Sequence, residues 1–188
     1  GIDIGIVDGL IKEVEPGLGA SATREIDATG RLASPPFVDS HFHLDSTLTY
    51  GRPRVNASGT LLEGIELWGE LKPDLTVENI KARAIKLCHW AIARGTLAIR
   101  SHVDISDDRL RAVKALLKVR EEIKPYIDLQ LVAFPQDGYL RYPGSADNLK
   151  RALDLGVDVI GGIPHFERTM ADGAASIKAL CELAAERG

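Results

Sequence analysis

FVDSHFHLD, at residues 37–45, follows a double proline, which is typical of a strand rather than a helix. Side chains on a strand alternate between its two faces, so His41 and His43 point the same way while Phe42 points to the opposite face. Two imidazoles spaced in this way lie about 6–7 Å apart along the strand and can both reach one metal ion. The stretch therefore predicts a metal site at the end of a strand, and imidazole suits zinc and divalent iron alike.

Strands and helices alternate from this stretch to the end of the chain. The pattern predicts further strands at 96–104, 128–134 and 157–163, and helices at 61–71, 76–93, about 107–123, about 146–155 and about 174–187. Strands rich in Val, Ile and Leu that alternate with helices indicate a parallel sheet, either doubly wound or closed as a TIM barrel. The barrel is favoured because polar residues end all four strands and no glycine-rich phosphate loop follows the first. The predicted fold class is α/β, a partial (β/α)8 TIM barrel of the first four βα units, with an open strand edge that another segment must cover.

The first 33 residues have a different pattern. The runs IDIGIV, LIKEVE and TREIDAT predict three short strands separated by turns, the first turn at Asp8 and Gly9. We therefore divide the chain into residues 1–33, part of a small β-sandwich, and residues 34–188, the first half of a barrel.

Composition excludes several classes of partner. The 188 residues carry a formal charge of -4 and contain no dense basic run, which argues against a nucleic-acid polymer as partner. No apolar run is long enough to span a bilayer, and the N-terminus has no export signal, so a cytoplasmic protein is expected. The two cysteines, Cys88 and Cys181, lie in helical stretches without ligand-like spacing and are predicted to be reduced and buried.

Polar residues also end the other predicted strands. His102, in RSHVD, is expected to donate a hydrogen bond near the site or to pack in the core rather than to bind the metal directly. Gln136, in AFPQDG, offers an amide donor and an amide acceptor that match a pyrimidine edge with a carbonyl beside a ring N–H. His165 and Glu167, in IPHFE, either line the mouth of the pocket or serve the structure.

Taken in order, the runs PPFVDSHFHLDST, GTLLEGIELW, RSHVD, IDLQLVAFPQDG and GGIPHFE resemble bacterial cytosine deaminases of the amidohydrolase superfamily. This resemblance implies a (β/α)8 barrel beside a small β-sandwich, one divalent iron or zinc ion, and hydrolytic removal of the exocyclic amine of cytosine in pyrimidine salvage. It implies that His41 and His43 bind the metal, that Gln136 grips the pyrimidine amide and that Leu61 lines the substrate pocket. The third histidine ligand and the acid/base residues of such enzymes come from later strands, so no catalytic residue is assigned within this sequence.

The sequence begins with Gly1 and ends where a fifth strand would begin, so we expect it to be the N-terminal half of a longer enzyme. The isolated chain is then expected to be catalytically silent, to require the C-terminal half of the barrel and to oligomerise through its open edge. Other amidohydrolases, acting on isocytosine, 5-methylcytosine, creatinine or ammelide, remain alternatives. So does a non-catalytic, truncated assembly module.

Overall fold

The computed structural model describes residues 1–187, in two compact units of which the second begins at Pro36. The first unit contains one antiparallel hairpin, with β1 at Asp3–Val7 and β2 at Leu10–Glu15. Asp8 and Gly9 both have positive φ (52° and 75°), as the two-residue turn of a right-twisted hairpin requires. The third predicted strand, TREIDAT at 23–29, was wrong. Instead, the Asp27 carboxylate accepts the Thr29 amide, so a local turn takes the place of a ladder.

The second unit is built on a four-stranded parallel sheet in the order β3–β4–β5–β6. Its strands are Phe37–Phe42, Thr96–Asp104, Asp128–Phe134 and Val159–Ile160. The helices are Leu61–Leu71 (α1), Val77–Ile92 (α2), Arg111–Ile123 (α3), Ser145–Asp154 (α4) and Met170–Arg187 (α5). Neighbours in the sheet are consecutive in sequence, which is the order of a barrel, whereas a doubly wound sheet reverses direction at a switch point.

The core lies between the sheet and its helices. Helix α3 places apolar residues at helical spacing on its inner face, and they are almost completely buried: Ala112, Val113, Leu116, Val119 and Ile123. They belong to the same apolar cluster as Ile99 of β4 and Leu131 of β5. This packing fixes the strands, and their carboxyl ends therefore meet at one edge of the sheet.

Two predicted boundaries differ from the structure. Helix α3 begins at Arg111 rather than near 107, because the Asp107 carboxylate accepts the Arg111 amide and Leu110 takes a left-handed conformation. Strand β6 covers only Val159–Ile160 of the predicted 157–163. Just before it, Asp158 exchanges hydrogen bonds with Leu131, whose carbonyl accepts the Asp158 amide and whose amide donates to the Asp158 carboxylate.

The cysteines lie in helices as predicted, and both are free. Cys88 is buried, but the prediction for Cys181 was wrong, because this residue is exposed on α5. Among residues 1–187, no helix combines the length and apolar character needed to cross a bilayer.

Candidate metal centre and adjoining cavity

Three histidines cluster at the carboxyl end of the sheet. His41 and His43 lie at the end of β3 with their ring centroids 5.5 Å apart. His102, from the neighbouring strand β4, stacks on His41 at 4.2 Å and lies 5.5 Å from His43. One nitrogen from each ring lies within 4.8 Å of the others, so the three side chains could hold one ion.

His102 belongs to this cluster more closely than the sequence suggested. Its Nδ1 is buried and has no hydrogen-bond partner within the described part of the chain. A buried imidazole nitrogen without a hydrogen-bond partner is costly unless something binds it. The donor set and this orphaned atom therefore fit a metal ion. The signal that could have identified His102 was its place at the end of the strand beside the HxH pair.

The charge state of the cluster also fits a metal. Burial lowers the pKa of His43 to about 4, with further lowering by the neighbouring His102 and His41. Burial, followed by the proximity of His41, lowers the pKa of His102 as well. Neutral imidazole is the form that donates a lone pair to zinc or iron, so these two rings are ready to bind at neutral pH.

Buried polar contacts hold the chain just after His43. The Leu44 amide donates to Ser101 Oγ at 3.0 Å, and the carboxylate of buried Asp45 accepts the Asp104 amide at 2.8 Å. Burial is the main cause that raises the pKa of Asp45 to about 7. Arg83, on α2, donates to the carbonyl of Asp45 at 2.9 Å and to that of Thr47. The strand end that carries the histidines is therefore tied to both β4 and α2.

A cavity of about 330 Å³ opens beside the cluster. His43 lines it, together with Gln136 from the loop after β5 and Leu61 from the first turn of α1. One of the two predicted metal ligands and both predicted substrate-binding residues therefore line the same cavity. His41 and His102 are not among the lining residues, and neither are His165 and Glu167.

Comparison with known proteins places this arrangement in a family. The sequence profile of the Amidohydrolase family matches residues 24–188. The chain belongs to the amidohydrolase family.

Solved amidohydrolase structures resemble the chain closely. The 5-methylcytosine deaminase from Klebsiella pneumoniae, liganded with 5-fluorocytosine, matches with a TM-score of 0.92 and 43% identity, over 98% of this chain and 45% of that chain. N-isopropylammelide isopropylaminohydrolase from Burkholderia multivorans ATCC 17616 matches with a TM-score of 0.70 and 32% identity, over 85% of this chain and 40% of that chain. These matches confirm the predicted fold class, the N-terminal part of an amidohydrolase barrel preceded by a small antiparallel sheet.

A curated relative gives a similar picture. N-isopropylammelide isopropyl amidohydrolase from Pseudomonas sp. (strain ADP) is 36% identical over 176 residues, which is 88% of this chain and 42% of the relative. The chain therefore spans less than half the length of the amidohydrolases it matches.

A polar network that the sequence did not reveal borders the same cavity. Asp104 Oδ2 accepts the indole Nε1 of Trp68 at 2.7 Å and lies 3.1 Å from Lys72 Nζ. Lys72 Nζ also lies 2.6 Å from Asp137 Oδ2. Trp68 and Asp104 line the cavity, and Asp137 directly follows Gln136. The contacts join residues up to 65 positions apart, so no local pattern could have indicated them.

Glu167 does not line the cavity; instead it holds the loop at residues 139–141 in place. Its carboxylate accepts the amides of Tyr139, Leu140 and Arg141 at 2.6, 3.1 and 2.9 Å. The loop begins at Gly138, whose φ of +93° favours glycine. A Cβ at this position would also come within 2.7 Å of Arg141 Cβ. His165, the other residue left open, is exposed.

Proposed function

We propose that this chain forms part of the active site of a metal-dependent hydrolytic deaminase that acts on cytosine or a related aminopyrimidine. In that reaction water adds to the ring carbon that bears the amine, the carbon–nitrogen bond breaks, and ammonia leaves behind a carbonyl group. The observation that carries the proposal is the position of His43, which belongs both to the three-histidine cluster and to the cavity lined by Gln136 and Leu61.

His41 and His43, with His102 beside them, are the residues that would hold one divalent ion, iron or zinc. When bound, such an ion supplies a Lewis acid that makes a water nucleophilic at neutral pH. Gln136 would bind the carbonyl and ring N–H of the substrate through its carboxamide, and Leu61 would contact the apolar part of the ring.

The comparisons support this substrate class. The Klebsiella pneumoniae relative, which shares 43% identity with the chain, is named a 5-methylcytosine deaminase and is liganded with 5-fluorocytosine. The chain corresponds to less than half of that protein, so we assign the acid/base groups to the part of the enzyme beyond the matched region. We therefore expect the 188-residue polypeptide by itself to be inactive.

A second candidate is an amidohydrolase that acts on a substituted ammelide. The curated Pseudomonas relative at 36% identity and the Burkholderia multivorans structure at 32% identity are both named for N-isopropylammelide. Gln136 could bind the amide edge of either ring type, so it does not separate the two candidates. The products do, because an aminopyrimidine releases ammonia and N-isopropylammelide releases isopropylamine.

The test uses the protein at the full length that its gene encodes. It would be stripped of metal with a chelator, reloaded with Fe²⁺ or Zn²⁺, and assayed for amine release from cytosine, 5-methylcytosine, isocytosine, creatinine and N-isopropylammelide. We expect turnover of cytosine or 5-methylcytosine that requires the metal. Turnover by H43N that resists chelation would overturn the proposal, and isopropylamine release as the main activity would favour the second candidate.

Gln136 has a matched control in the same strand-loop segment. Q136A should lower kcat/KM by at least about tenfold, the effect of one lost hydrogen bond to the substrate. Gln130 is exposed on β5, where it accepts a hydrogen bond from Arg100 at 2.6 Å, and it is absent from the cavity lining. Q130A should therefore leave kcat/KM unchanged.

A further inference from the structure

Three hydrogen bonds and one ion pair form a closed circuit beside the cavity. Lys72 Nζ contacts both Asp104 Oδ2 and Asp137 Oδ2. The Asp137 amide donates to Ser106 Oγ at 3.1 Å, and the Ser106 amide donates to Asp104 Oδ1 at 2.7 Å. The circuit therefore joins the end of α1, the end of β4 and the loop after β5.

Two wall residues of the cavity are attached to this circuit. The indole of Trp68 is held through its Nε1 by Asp104 Oδ2. Gln136 lies next to Asp137, and its own amide donates to the Phe134 carbonyl at 2.9 Å. The backbone on both sides of the Gln136 side chain is thus fixed, and so is one edge of the Trp68 ring.

Lys72 supplies the positive charge on which the circuit depends. The side chains of Lys72 and Asp104 are only 14% and 5% exposed, so their attraction is weakly screened by water. Burial lowers the pKa of Lys72, but the charges and hydrogen bonds of Asp104 and Asp137 more than offset this and leave it above its ordinary value. Without the ammonium group, two carboxylates would face each other across the gap, and the more exposed Asp137 would turn towards water.

We propose that Lys72 is a positioning residue that fixes Trp68 and Gln136 as two walls of the substrate cavity. The inference rests on the proposed function, because a flat aromatic ring is bound well only when the walls that contact it keep their spacing. Lys72 does not line the cavity, so its effect on the substrate passes through Asp104 to the indole and through Asp137 to the carboxamide.

Two variants separate the two arms of the circuit. K72M removes the charge from both, whereas D137A leaves the Lys72–Asp104–Trp68 contacts in place and removes only the ion pair that ties the loop of Gln136 to Lys72. R120M is the matched control, since Arg120 forms a partly exposed ion pair with Asp158 at 2.9 Å and neither residue lines the cavity.

The first readout does not depend on activity. In a full-length variant in which Trp90 and every tryptophan outside this sequence are replaced by phenylalanine, the emission comes from Trp68 and reports on this wall directly. We expect K72M to shift that emission to longer wavelength and to increase its quenching by acrylamide, while D137A and R120M leave it unchanged. Amide hydrogen exchange at residues 136 and 137 should accelerate in both K72M and D137A.

The second readout is the division between KM and kcat in the metal-loaded enzyme of full encoded length. K72M and D137A should raise KM for the aminopyrimidine on the order of tenfold and change kcat by less than about threefold. Unchanged emission in K72M, or a KM in D137A equal to that of R120M, would overturn the proposal. If K72M fails to fold, D137A decides through KM and hydrogen exchange. If the wild type turns over no aminopyrimidine, the proposed function fails, and the fluorescence and exchange arms still decide whether Lys72 fixes the walls.

Discussion

His41 and His102 come from adjacent parallel strands and stack with their ring centroids 4.2 Å apart. The contact brings a third imidazole to the HxH pair, and it leaves His102 Nδ1 buried without a partner in the described residues. A metal ion would satisfy that atom.

The first prediction concerns His102. H102N should weaken Zn²⁺ binding by about 10- to 100-fold, because the ion would lose either a ligand or a group that orients one. Competition against a chromogenic chelator measures the affinity. H165N is the control, since His165 is exposed and lies outside the cluster. Equal affinities of the two variants would remove His102 from the metal centre.

The second prediction concerns the core under the sheet. Leu116 has no exposed surface, so L116A should lower the free energy of unfolding by about 2–5 kcal/mol through lost burial and the cavity left behind. Urea titration measures the change. Lys118 is exposed on the same helix, and K118A should stay within about 0.5 kcal/mol of the wild type. Equal losses in both variants would contradict the packing described for α3.

The third prediction concerns thiol chemistry. Burial raises the pKa of Cys88 to about 11, so almost none of it is thiolate at pH 8, and its side chain is also shielded from reagent. Of the two thiols in this sequence, Ellman's reagent should modify that of exposed Cys181 in the folded protein and both in denaturant. In folded C181S, peptide mapping should therefore find no label on Cys88. Rapid labelling of folded C181S would show that Cys88 is accessible.

The fourth prediction concerns the loop beside Gln136. E167A removes the acceptor of three backbone amides and should destabilise the fold by about 1–3 kcal/mol. Hydrogen exchange at residues 139–141 should accelerate most. E182A is the control, because Glu182 is exposed on α5 and, among residues 1–187, its carboxylate forms one ion pair, with Lys178 at 3.8 Å. Protection at 139–141 that survives E167A would mean that the loop is held by other contacts.

Much of the architecture follows from local pattern. Strand β4 and helix α1 have the bounds that alternation and the stop signals predict, because each is set by residues near in sequence. The strand predicted for TREIDAT is absent because a strand depends on a neighbouring strand, and the local sequence pattern does not show whether one is present.

The residues of the candidate site also fall into those that local sequence predicts and those that depend on tertiary packing. The HxH pair is visible because two residues on one strand share a face. The positions of Lys72 and Asp137 relative to each other depend on how α1 packs against two strand ends, and no local spacing encodes that distance. His102 lies between these cases, since the position of His102 at a strand end was predictable but its contact with His41 depends on the register of β3 and β4.

Arg83 connects helix α2 to the backbone segment that follows His43. Its guanidinium donates hydrogen bonds to the carbonyls of Asp45 and Thr47, which follow His43 in the chain, so a rotation of the helix would displace the segment next to that histidine. Substitutions on the solvent face of α2 that raise the melting temperature should therefore be checked for their effect on the position of the His43 imidazole.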